Sequence, residues 1–150
     1  MSGDEGRYRA MIEGIWVLQE WHLEDQILRP PRAVGRTIFL GGTVSLLMRY
    51  DAGERENHRY GLGRFVIEGD RLHYGYDQMF DYSRDVGGAR STPQAGAGKL
   101  RPYRLSMEAG CLVCTAETHG SRLLFAPERL EVYGEGRLLR TWSRHPHAGG

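Results

Sequence analysis

Lysine is almost absent from this chain. Lys99 is the only one, and arginine supplies the rest of the 20 basic residues. Set against 19 acidic residues, this leaves a formal charge of +1. No long-range field draws the protein to nucleic acid or to an anionic membrane, and neither is expected as a partner. No apolar run approaches the ~20 residues a membrane-spanning helix needs. Met1 to Arg9 are polar and charged with no signal-peptide core behind them, so the expected compartment is the cytoplasm. Cysteine is scarce too. Cys111 and Cys114 stand three apart in a strand-like stretch, which points them to opposite faces and argues against a disulfide.

Signatures of cofactor chemistry are also missing. There is no Gly-rich phosphate loop, dinucleotide fingerprint, H-E-x-x-H or nucleophile elbow. Among six histidines only His145-x-His147 has ligand spacing, and it lies in the polar tail. The expectation is no metal and no cofactor.

What the chain does have is turns. With 150 residues it reads as one domain, with 40% hydrophobic residues to build a core. Ser2 and Glu5 match a capping box, and Tyr8, Met11, Ile12 and Ile15 recur at helical spacing, so a short helix opens the chain. From Gly14 strands take over: Gly14 to Glu24, then Arg36 to Leu40 and Thr43 to Tyr50 across Gly41-Gly42. Arg59 to Glu68 and Arg71 to Tyr82 meet at Gly69-Asp70, and Leu100 to Glu108 and Cys111 to Glu117 at Ala109-Gly110. Ser121 to Phe125 follows His119-Gly120; Arg129 to Tyr133 and Arg137 to Ser143 meet at Gly134-Glu135-Gly136. Two segments break the rhythm. Asp25 to Val34 is a Pro-containing loop, and Gly/Ala/Ser-rich Ser83 to Lys99 reads as a mobile loop, either a disordered insertion or a lid.

Sequential hairpins make an antiparallel meander, and closing it removes the exposed edges. The expected fold is therefore all-β: one meander, core about 14–144, closing into a barrel of eight to ten strands. Such a barrel holds side chains plus one small ligand.

Gly14-Ile15-Trp16 entering the first strand resembles the G-x-W signature of lipocalins. The hairpin from Tyr60 to Tyr74, with Gly69-Asp70 at its turn, is similar to the middle of a bacterial and fungal lipocalin-like family. So are Gly35 to Phe39, Gly42 to Leu46 and Leu100 to Leu105, in the same order. The sequence departs from the family at Gly61, where a tyrosine is usual, and at Tyr74, where a histidine is usual. The resemblance implies a calycin-type barrel with Trp16 plugging one end against an arginine of the last strand, Arg140 or Arg144. It also implies a family with some members in biosynthetic pathways.

Strand parity then sorts the faces. With Trp16 inside, Leu18, Glu20 and His22 share its face. Leu72, Tyr74, Tyr76, Gln78, Phe80 and Tyr82 make one aromatic row, opposite His73, Asp77 and Asp81. The expected lumen takes Leu46 and Met48 from one strand, Phe65 from the next, and Arg101 and Tyr103 from another. An apolar chamber with few polar groups is the usual form of a small-molecule site, and tyrosines suit a flat ligand. A Glu20 buried among aromatics would have a raised pKa and could act as general acid or base, with His22 or Tyr74 as counterpart.

Three functions fit. The first is a cofactor-independent cyclase, isomerase or dehydratase of small-molecule biosynthesis that uses proton transfer and substrate preorganisation. The second is an intracellular carrier or sequestering protein for a small apolar or aromatic ligand. The third is an interaction domain with a filled barrel. A homodimer is left open.

Overall fold

A computed structural model describes residues 4–53, 55–93 and 98–146. The chain runs through one helix, α1 (Asp4–Ile12), and twelve strands. These are β1 (Gly14–His22), β2 (Ile27–Leu28), β3 (Ala33–Leu40), β4 (Thr43–Ala52), β5 (Arg55–Glu68) and β6 (Arg71–Asp85). After them come β7 (Gly88–Pro93), β8 (Arg101–Glu108), β9 (Cys111–Ala116), β10 (Ser121–Phe125), β11 (Arg129–Gly134) and β12 (Arg137–Arg144). Every pairing is antiparallel, and β12 returns to β1, so ten strands close into a barrel. β2 lies against the far end of β1, and β7 against the far end of β6. This is compatible with a lipocalin-like fold. No helix among the described residues is long and apolar enough to cross a membrane.

The turns explain the meander. Gly41 and Gly42 take φ of 60° and 83°, the left-handed pair that a two-residue hairpin between right-twisted strands requires. The same geometry recurs at Ala109-Gly110 and Glu135-Gly136. The last hairpin is thus a two-residue turn, with Gly134 the final residue of β11.

One end of the barrel is sealed by both chain termini. Trp16 is fully buried and donates its indole N–H to the Ile12 carbonyl at 3.0 Å. Arg144 lies over its ring at 4.2 Å. The same guanidinium donates to the Met11, Glu13 and Pro127 carbonyls at 2.9, 2.6 and 2.8 Å. The last turn of a helix leaves carbonyls unpaired and carries partial negative charge, so Arg144 both bonds and neutralises the end of α1. It also explains Gly14: a Cβ there would sit 2.5 Å from the Arg144 guanidinium. At the other end of α1, Glu5 accepts a hydrogen bond from the Gly69 amide at 2.8 Å, docking the helix on the β5–β6 turn. Ser2 lies outside the described residues.

Above the plug, aromatic rings stack inward. Trp16 meets Phe125 at 5.6 Å, Phe125 meets Phe39 at 5.9 Å, and Phe39 meets Phe65 and Tyr74 at 5.5 Å each. Cys114 is buried and Cys111 half-buried, both as free thiols, and burial pushes the Cys114 thiol pKa up.

The segment expected as a loop from Ser83 is different. β6 continues to Asp85, turns at Val86-Gly87 and returns as β7, pairing Phe80 with Pro93 through Asp85 with Gly88. Polar strands like these show no apolar alternation; ion pairs tie this end of β6 to β5, Arg59 to Asp81 at 2.8 Å and Arg55 to Asp85 at 3.4 Å. Residues 94–97 of that segment lie outside the described residues.

Replacing Arg144 by methionine removes three charged hydrogen bonds and a cation–π contact, but keeps most of the packing volume. Urea denaturation should show a loss of roughly 2–4 kcal/mol, with the fold retained in mild conditions.

Candidate functional site

Three bulges decide which side chains face inward. In β1, Leu18 pairs with Trp142 and Glu20 with Thr141, leaving Gln19 as an extra residue. In β6, Tyr76 pairs with Gly63 and Gln78 with Leu62, leaving Asp77 extra. In β12, Leu138 pairs with Tyr133 and Arg140 with Val132, leaving Leu139 extra. Each extra residue reverses the alternation beyond it.

The Gln19 bulge corrects the expected position of Glu20 and His22. Trp21, not Glu20, turns inward: it packs on Tyr50 at 4.2 Å and lies under the Arg140 guanidinium at 5.6 Å. Glu20 sits on the outer wall, bonded to His22 Nε2 at 3.0 Å and to Arg29 at 2.9 Å. The hydrogen bond from His22, opposed in part by burial, holds the Glu20 pKa below the ordinary carboxylate value; Arg29 adds to the effect. That is the opposite of the raised pKa expected for a buried acid.

The Asp77 bulge splits the aromatic row. Leu72, Tyr74 and Tyr76 stay inside; Gln78, Phe80 and Tyr82 turn outward. Gln78 and Phe80 are exposed. Asp77 itself is bound by Arg64 on the outer wall at 3.0 Å.

The interior holds an open-ended cavity of about 260 Å³. Of the residues expected there, Leu46, Tyr74, Tyr76, Arg101 and Tyr103 line it. Trp16, Leu18, Met48 and Phe65 are buried packing instead, and Trp16 fills the closed end. Parity did not single out Arg140, Trp142, His119, Lys99, Thr37 and Met79, all of which line the cavity. A signal for two of them existed: Arg140 and Trp142 alternate with Arg144, the partner of the plug.

Gly61 and Gly63 share the inward face of β5 with Phe65, but they do not enlarge the cavity. The Tyr76 ring lies against Gly61, where a Cβ would come within 2.7 Å of it. At Gly63 the backbone of Gly75 takes the space. These glycines let β5 and β6 approach closely and seat Tyr76 in the wall.

The polar groups form a connected set. The Tyr74 and Tyr76 hydroxyls are 2.8 Å apart. The Tyr103 ring lies 5.8 Å from that of Tyr74, and its hydroxyl is 3.3 Å from His119 Nε2. Burial raises the pKa of all three phenols, Tyr74 most, so they remain protonated donors at neutral pH. Burial, and then the charge of Arg101, lower the pKa of His119 below the ordinary 6.5, so it is a neutral acceptor at pH 7. Arg140 has no ion-pair partner among the described residues, and burial lowers its pKa as well. No group of three His, Cys, Asp or Glu gathers to hold a metal among the described residues.

Flat aromatic walls, protonated phenols, a neutral imidazole and three cations are suited to a compact molecule with a planar body and oxygen functions. The chain matches no protein-family model, no curated protein and no solved structure.

The His119 ring should titrate below 6.5 by NMR, and Arg101→Gln should move that titration upward. Because the folded-state pKa is lowered, folding is favoured above the unfolded value. That contribution is lost as pH falls from about 6.5 towards the folded pKa.

Proposed function

We propose that this chain is a lipocalin-like barrel that binds a compact, largely flat small molecule in its interior. The observation that carries this reading is the cavity of about 260 Å³ walled by Tyr74, Tyr76 and Tyr103 and open at one end. Small-molecule sites begin at roughly 300 Å³, so a ligand of one or two rings is the right scale. A barrel filled by its own side chains would leave no such space.

A second reading, a proton-transfer enzyme acting as isomerase, cyclase or dehydratase, has its own observation. The Tyr74–Tyr76 hydroxyl pair and the neutral His119 offer donors and a base on one cavity wall. The phenols would hold a developing enolate oxygen while His119 takes the proton, and such chemistry needs no cofactor. The acid–base groups are then Tyr74 and His119, in place of the outward-facing Glu20 and His22.

Calorimetric titration with one- and two-ring aromatic compounds tests the binding reading. Leu123, buried in the cavity wall, becomes a plug as Leu123→Trp, which should weaken binding at least tenfold with the far-ultraviolet dichroism retained. Glu20→Gln and Phe80→Ala should change affinity less than twofold. No binding by any compound, or equal binding by Leu123→Trp, contradicts the reading. For the catalytic reading, Tyr74→Phe and His119→Ala should each lower kcat by about 10²-fold or more on any substrate found. Release of every bound compound unchanged identifies a carrier.

A further inference from the structure

Among the described residues, the cavity wall contains Lys99, Arg101 and Arg140, and not one aspartate or glutamate. Lys99 and Arg101 are solvent-exposed. Arg140 is half-buried in the same wall. Buried charges in folded proteins are almost always paired, because an unpaired one loses its hydration and gains nothing in return. Here the Arg140 Nε is buried with no hydrogen-bond partner. Trp142, two residues on and on the same wall, has its indole N–H in the same condition. Thr141 Oγ1 between them is also unpartnered, but the cavity wall does not include it. The carboxylate of Asp81, on the inward side of β6 beyond the bulge, is gripped by Arg59 at 2.8 and 3.4 Å. Arg59 is close enough for its positive charge to act on Arg140 as well.

We propose that the ligand is an organic anion, a flat apolar body ending in a carboxylate or equivalent oxyanion that the Arg140 guanidinium receives. This rests on the small-molecule reading above and narrows it to a chemical class. Arg140 lines the cavity with no ion-pair partner among the described residues, and a ligand with a full negative charge supplies one. The Trp21 ring beneath Arg140 and the protonated Tyr74–Tyr76 pair beside it complete a seat for a charged head group. Lys99 and Arg101 add attraction from the exposed side. That attraction is screened by salt, whereas the buried contact is screened much less.

The test compares 2-naphthoate with 2-naphthamide, which differ in charge and little in shape, by calorimetry at pH 7.5 in 0.3 M salt. The expected result is naphthoate binding at least tenfold tighter than naphthamide. In Arg140→Met this ratio should fall to within about twofold. Arg140→Lys should keep only part of the ratio, because a point charge lacks the planar fork. Arg140→Met should also unfold at the same or a higher temperature than the parent without ligand, since an unpaired buried charge is gone. Equal binding of the two probes by the parent, or an unchanged ratio in Arg140→Met, overturns the anion assignment and leaves the cavity reading intact. Failure of both probes to bind the parent overturns the cavity reading and the assignment together.

Discussion

The barrel closes where Arg144 meets Trp16. One guanidinium covers the plug of the barrel, bonds the last carbonyls of α1, and ties both to the loop before β11. Without it the N-terminal helix has an unneutralised end and the seam between β1 and β12 loses the clamp at its closed end; the seam's register runs from Trp16–Arg144 to Trp21–Arg140. That register then governs the rest of the interior. It pairs Leu18 with Trp142, admits the extra residue Gln19, and brings Trp21 opposite Arg140.

Two arginines four residues apart on one strand therefore have opposite circumstances. Arg144 spends its donors on three carbonyls and its face on an indole. Arg140 rests on an indole too, yet its Nε is orphaned and no ion pair reaches it among the described residues. The first arrangement stabilises the empty protein. The second costs stability, and folded chains keep such a group where a ligand or a reaction makes use of it. The unequal use of equivalent side chains separates the sealed end of the barrel, filled by Trp16, Phe125, Phe39 and Phe65, from the open end with its tyrosines and cations.

The architecture was largely legible in the sequence, because glycine pairs such as Gly41-Gly42 dictate hairpins locally and hairpins dictate a meander. The plug was legible as well, through Gly14-Ile15-Trp16. Site residues were legible only up to the nearest bulge. Tyr74 and Tyr76 precede Asp77 and were placed correctly; Gln78 and Phe80 follow it and were not. Glu20 and His22 follow Gln19 and landed on the wrong wall for the same reason. A bulge adds one residue without changing hydrophobic pattern enough to be seen, and Gln19 and Asp77 are ordinary polar residues whose outward positions look like normal alternation. β7 is not legible because small and polar residues pair there through the backbone, without an apolar face. Arg140 and Arg144 share a face of the last strand, so sequence alone offers both as partners of Trp16, and only three dimensions show which end each occupies.

The Gln19 and Asp77 bulges set the inner wall, and nuclear Overhauser contacts between side chains read that placement. The Trp21 indole should show contacts to the Tyr50 ring, and the Glu20 side chain should show contacts to Arg29 and none to Tyr74 or Trp142. Contacts from Glu20 to Tyr74 or Trp142, with Trp21 free of Tyr50, would mean an unbroken alternation and would contradict the cavity as described.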